Sequence, residues 1–220
     1  MTSPIDLHPV LEFSSALKEH NSREWFQGHR AEYELARGHF EDLVARLIDH
    51  LSPTVRLGNL TPRDCIFRIH RDLRFSRDKT PYKPYMSAYI APGGRRSRRL
   101  GYYIHIEPDH SMLAGGLHEP DPRALASFRA QIDQDPARFK RIVSTPVFRK
   151  TFGGVGGSSL KTAPRGYPRD HPDLDLLRLK SVTVSRHVPD KQVLSPRFLD
   201  QALDTFKVMK PFLDYLEALP

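Results

Sequence analysis

The chain has 220 residues, 39% hydrophobic and 27% charged, with 34 Lys+Arg against 26 Asp+Glu for a formal net charge of +8. That balance suits a globular, soluble protein, and no apolar run approaches the roughly 20 residues that a membrane-spanning helix needs. The one cysteine, Cys65, excludes an internal disulfide framework and any multi-cysteine zinc site.

The N-terminus, MTSPIDLHPVLEF, lacks a basic region followed by an apolar one, so it does not read as a secretory signal and the expected location is cytoplasmic. Ile5 to Glu19 predicts a short helix with Val10, Leu11, Phe13, Ala16 and Leu17 on its apolar side. Asn21-Ser-Arg-Glu24 reads as a capping box, with Asn21 capping and Glu24 reaching back. The long helix after it carries Phe26, Tyr33, Phe40 and Leu47 at seven-residue spacing, with Val44 and Leu51 beside them, as a core stripe ended by Pro53. Trp25, at the helix start, is assigned to packing.

Leu60-Thr-Pro predicts a turn into a first strand, Cys65 to Phe75. Its alternation puts Cys65, Phe67, Ile69, Arg71, Leu73 and Phe75 on one face, and Ile66, Arg68, His70, Asp72 and Arg74 on the other. Cys65 is thereby a buried small hydrophobe rather than a catalytic thiol. Arg71 falls amid apolar neighbours and needs a partner, either a carboxylate in a structural salt bridge or an anionic ligand. Ser76 to Pro81 is a loop, Tyr85 to Ala91 a second strand, Pro92 to Arg99 a basic hairpin tip, Gly101 to Glu107 a third strand and Ser111 to Leu117 a fourth. In the third strand Tyr102, Ile104 and Ile106 share one face, and Tyr103, His105 and Glu107 the other.

Helices then return. Asp121-Pro122 and Asp135-Pro136 are helix starts. Gly153 to Gly157 is a glycine loop without the Gly-Lys-Ser/Thr ending of a phosphate-binding loop. Pro172 to Leu179 is a short helix and Ser181 to Val188 a strand. Ser195-Pro196 opens a last helix that buries Phe198, Leu199, Ala202, Phe206, Met209, Phe212, Leu213 and Leu216, with Pro211 expected to kink or divide it. The expected fold is α+β: one domain over residues 1–220, an antiparallel β-meander flanked by N-terminal and C-terminal helices.

Between Arg68 and Arg99 stand ten basic residues and two acidic ones, so this stretch carries the entire net charge. Charge this localised points to a directed positive field, interleaved with Phe67, Tyr82 and Tyr85. The expected ligand is a phosphorylated or carboxylated small molecule bound by Arg71, Arg74, Lys79, Tyr82 and Lys83, with Lys161 and Arg165 closing the other side. Arginines grip such groups with paired donors, lysines add point charge, and Tyr82 would stack on a base or sugar. Asp72 or His70 is the candidate general base for phosphoryl- or phosphodiester-directed chemistry. A metal alternative uses His70 and Asp72 with His105 and Glu107, if their strands are adjacent. Nucleic acid is the competing partner, through the same face and Arg95, Arg96, Arg98 and Arg99 at the hairpin tip. The sequence holds neither a dinucleotide fingerprint nor a nucleophile elbow, and it leaves any cofactor unknown.

Three blocks carry a family resemblance: Trp25-Phe26 with Tyr33; FRIHRDLRFSRDKTPYK from Phe67 to Lys83; and LKTAPRGYPRDHP from Leu160 to Pro172. With Tyr102-Tyr-Ile-His-Ile-Glu107 and Ala114-Gly-Gly-Leu-His-Glu-Pro120, they make the sequence resemble domain of unknown function 2461, a set of conserved hypothetical proteins from bacteria and fungi. The resemblance brings no activity. It implies that Arg71, Asp72, Arg74, Phe75, Asp78, Lys79, Pro81, Tyr82 and Lys83 are the positions to examine.

Overall fold

The computed structural model describes residues 4–74 and 78–219. The end of the predicted first strand, Phe75, and Ser76 and Arg77 of the loop lie outside the described residues.

The elements, in chain order, are α1 (His8–Glu19), α2 (Arg23–Gly28), α3 (Arg30–Leu51), α4 (Pro62–Cys65), β1 (Met86–Ile90), a 3-10 turn (Gly94–Arg96), β2 (Tyr102–Ile106), β3 (Met112–Leu117), α5 (Pro122–Gln134), α6 (Ala137–Ser144), α7 (Pro146–Phe152), α8 (Leu174–Leu177), β4 (Val182–His187), α9 (Asp190–Val193) and α10 (Phe198–Glu217). The four strands form an antiparallel sheet in the order β1-β2-β3-β4, with helices before and after, so the fold is α+β. Among the described residues no helix is long and apolar enough to cross a membrane.

The sheet's membership differs from the expected meander. Cys65 closes α4, a single turn started by Pro62 and capped by Thr61, whose backbone N–H and hydroxyl both donate to Asp64. The segment after it is extended but forms only isolated bridges, Ile66 to Ala88 and His70 to Tyr82. Its predicted alternation survives as burial: Cys65 and Ile69 are buried, Arg68, His70, Asp72 and Arg74 exposed. The opposing chain contains Pro81 and Pro84, which have no N–H to donate, so a regular ladder cannot form there. The fourth strand is instead β4, which follows helices α5 to α8 in the chain and pairs with β3.

The contacts of the chain fall into two compact units. The first is Met1–Arg98, Tyr103–Leu113 and His187–Asp204; the second is Arg99–Tyr102, Ala114–Arg186 and Thr205–Pro220. In the first, α3 buries Tyr33, Ala36, Phe40, Leu43, Val44, Leu47, Ile48 and Leu51 along one face, and α1 adds Val10, Leu11, Phe13 and Leu17. Burying each such large apolar side chain contributes about 1.5–3 kcal/mol before entropy is counted. The predicted single helix breaks at His29, whose Nδ1–H donates to the Trp25 carbonyl at 2.8 Å while its ring stacks on Trp25. The cap of α2 is Ser22, which accepts from the Trp25 N–H, and not Asn21.

In the second unit, Phe128, Phe139, Phe148, Phe212 and Tyr215 make one aromatic cluster. Asp121 caps α5 by accepting from the Arg123 and Ala124 N–H groups. α10 runs as one helix through Pro211, so of the two expected effects, a kink or a break, the break does not occur. Leu199 is only half-buried, whereas the other apolar residues expected along that helix are buried.

Candidate functional site

The basic stretch is held by short-range turns. Asp78 accepts from the Thr80 N–H at 2.9 Å and the Thr80 hydroxyl at 2.8 Å, and its other oxygen accepts from Arg71 Nη1. The same Arg71 nitrogen reaches Thr80 Oγ1 at 2.6 Å. Thr80, chiefly through its backbone, holds the Asp78 carboxyl below its usual range. Arg71 therefore has a carboxylate partner, one of the two kinds that its place in the sequence allows, and it sits half-buried.

Arg74 is exposed and gripped by Asp72, with Nε donating at 2.9 Å and Nη2 at 2.6 Å. Those bonds hold the Asp72 carboxyl far below the usual carboxylate range. His70 is exposed and rests its ring on Tyr82. Lys79 donates to the Leu73 carbonyl.

Tyr82 is a correction. It is 5% exposed and stacks on Phe26 with ring centroids 4.2 Å apart, so it belongs to the core and offers no face to a ligand. Asn21 explains why it is fixed: its side-chain amide donates to the Tyr82 carbonyl at 3.0 Å and accepts from the Tyr82 N–H at 3.1 Å. The residue expected to cap a helix instead replaces a missing strand partner.

Lys83 is the outlier. It is half-buried, its Nζ lying 5.6 Å from the Phe67 ring centroid and 5.9 Å from that of Tyr85. Among the described residues it makes no ion pair. Burial, followed by repulsion from Arg68 and Arg71, pushes its pKa below the ordinary 10.5. Of the ten lysines, only Lys83 and Lys210 are not exposed, and Lys210 pairs with Asp214.

Beside it, β2 carries a hydrogen-bonded chain. His105, 5% exposed, bonds through Nε2 to Glu107 Oε2 at 2.8 Å and through Nδ1 to the Tyr103 hydroxyl at 3.0 Å. The carboxylate only accepts, so Nε2 carries the hydrogen, and in the neutral ring Nδ1 accepts from Tyr103. The Ser87 hydroxyl bonds Tyr103 in turn. The His105 ring lies 4.2 Å from that of Tyr85. Burial outweighs the Glu107 bond and, with His110 and Lys83 nearby, holds His105 below its ordinary 6.5. The lead for this chain was the polar face Tyr103, His105, Glu107 of the predicted strand; the companion residue Ser87 gave no such lead.

The four residues of the metal alternative do not gather. His105 and Glu107 bond each other, Asp72 is taken by Arg74, and among the described residues no three His, Cys, Asp or Glu side chains are grouped to hold a metal. Cys65 is fully buried and its thiol is pushed up to about 12 by burial, as expected of a small hydrophobe.

Lys161 and Arg165 are exposed in the second unit, on a loop tied by reciprocal bonds between Leu160 and Arg178. That loop also leads to buried Asp173, which pairs with Lys140 at 2.6 Å. The hairpin tip is pinned: Arg95 donates to the Arg63 carbonyl, and Arg99 pairs with Glu217. A depression of about 330 Å³ in the second unit, lined by Phe152 to Gly157, Thr183 and Ser185, presents no charged side chain.

The fold is that of an α+β protein in which Lys83 lies near the Phe67 and Tyr85 rings, beside the hydrogen-bonded chain of Tyr103, His105 and Glu107. The family model for conserved hypothetical proteins of domain of unknown function 2461 matches residues 9–215, and the chain belongs to that family. No curated protein and no solved structure matches it.

Proposed function

We propose that the protein binds a phosphorylated or carboxylated small molecule at the surface centred on Lys83, with Arg68 and Arg71 supplying further positive charge. The observation that carries this reading is Lys83 itself: a half-buried ammonium, repelled by two guanidinium groups, with no carboxylate partner among the described residues. Such an arrangement costs stability unless an anion enters it. Phe67 and Tyr85 supply flat apolar walls for the rest of a ligand. Arg74 and Lys79 contribute field rather than contact in this reading, and Arg71 acts while held by Asp78. Phosphoryl or phosphodiester chemistry would draw its acid–base group from the Tyr103–His105–Glu107 chain in place of Asp72 or His70.

Thermal unfolding against inorganic phosphate, nucleotides, sugar phosphates and small carboxylates tests this. A ligand at about 100 times its dissociation constant stabilises the fold by about 2.7 kcal/mol. The expected result is a shift with at least one small anion that is lost in Lys83→Met. Equal shifts in both proteins would place the anion elsewhere. A shift only with DNA or RNA, steeply reduced by salt, would instead make the basic face a nucleic-acid surface.

A further inference from the structure

We infer that Lys83 is a Schiff-base lysine: it condenses with the carbonyl of a 2-oxo acid whose carboxylate is held by Arg68 and Arg71. The inference rests on the anion-site reading above and names its substrate class and chemistry.

A lysine of this kind needs three things from its surroundings. Its amine must be partly withdrawn from water, free of a carboxylate that would hold it protonated, and close to positive charge. Lys83 meets each. Its Nζ lies 5.6 Å from the Phe67 ring centroid and 5.9 Å from that of Tyr85, it makes no ion pair among the described residues, and the charges of Arg68 and Arg71 repel it. Its lowered pKa follows from the same surroundings. The arginines have a second use. A 2-oxo acid carries its carboxylate on the carbon next to the reacting carbonyl, so charge that suppresses the ammonium also orients the ketone toward Nζ.

The step balances without an oxidant. The Nζ lone pair attacks the carbonyl carbon to give a carbinolamine. The carbonyl oxygen then leaves as water with the two Nζ hydrogens, and a carbon–nitrogen double bond remains. Solvent water at this half-buried site carries the protons from the nitrogen to the departing oxygen. Tyr103, His105 and Glu107 hold one another in a hydrogen-bonded chain, and the His105 ring packs against Tyr85, whose ring lies beside Nζ. His105 has both ring nitrogens engaged and is a positioning residue here.

Pyruvate with sodium cyanoborohydride is the probe, because the reductant fixes an imine as a stable secondary amine. The expected result is one dominant carboxyethyl adduct, mapped to Lys83 by peptide mass spectrometry, forming at least tenfold faster than at the exposed lysines. Its rate should saturate with pyruvate and reach half its maximum at a pH below the ordinary lysine value of 10.5. Arg68→Met should raise the pyruvate concentration for half-saturation, and Lys83→Arg should abolish the adduct while keeping the charge. Inorganic phosphate should slow the labelling. Labelling spread evenly over the exposed lysines would overturn the inference. If phosphate still stabilised the parent and not Lys83→Met, the anion site would stand without the imine chemistry. Fast labelling of Lys83 that phosphate does not slow would contradict the carboxylate-holding role and leave only a reactive amine.

Discussion

Asn21 shows how one side chain replaces a strand. Its amide meets both backbone groups of Tyr82, in a segment where prolines prevent regular pairing. Removing it leaves a half-buried peptide short of two partners, each worth about 0.5–1.5 kcal/mol net. Asn21→Ala should therefore destabilise the fold by about 2 kcal/mol in urea unfolding, with an unchanged slope. Asn21→Asp keeps the acceptor and loses the donor, and should fall between. His105 gives a second prediction at this scale. Its folded pKa lies below 6.5, so the unfolded chain binds the proton more readily. Its contribution to stability is present above pH 6.5 and is lost as pH falls through the folded value. Thermal stability should drop in that window, and His105→Gln should lack this component. An NMR titration placing His105 at or above 6.5 would contradict the assignment.

Among the elements, those whose start signals are local were legible in the sequence. Asp121-Pro122 and the period of α10 needed no knowledge of the rest of the chain. Asp121→Ala should cost about 1 kcal/mol by removing the side-chain acceptor for two N–H groups. The sheet was legible only in part. The pattern Cys65 to Leu73 alternates in burial as a strand would, yet its ladder is refused by Pro81 and Pro84 on the facing segment. β4 takes the fourth place, and its joining depends on a close approach that sequence patterning does not display. At Gly116, with φ +119°, a Cβ would strike the Val182 carbonyl oxygen. Gly116→Ala should destabilise by more than about 2 kcal/mol, through both backbone strain and lost contact between β3 and β4. A change under about 0.5 kcal/mol in urea unfolding would show that the strands separate there at no cost.

At the scale of the whole molecule, the net charge of +8 lies between Arg68 and Arg99, but its parts have different fates. Arg71, Arg74 and Arg99 have carboxylate partners, and Arg95 a carbonyl. Composition pointed to the stretch; it did not distinguish the paired cations from Lys83, because the pairing is decided by turns at Asp72 and Asp78 and by the rings of Phe67 and Tyr85. A field spread over the face would bind polyanions with steep salt dependence, whereas a single embedded ammonium binds a small anion with a shallow one. The embedded charge also opposes folding. With its folded pKa depressed, Lys83 carries that cost in full at neutral pH and is relieved of it only as pH rises through the folded value toward 10.5. The most direct measurement is therefore calorimetric titration of inorganic phosphate into the parent and Lys83→Met, with unfolding of both followed in parallel. Lys83→Met should fold at least as stably as the parent and lose at least tenfold in phosphate affinity. A variant that is less stable and binds phosphate as well as the parent would contradict this, making Lys83 a structural side chain.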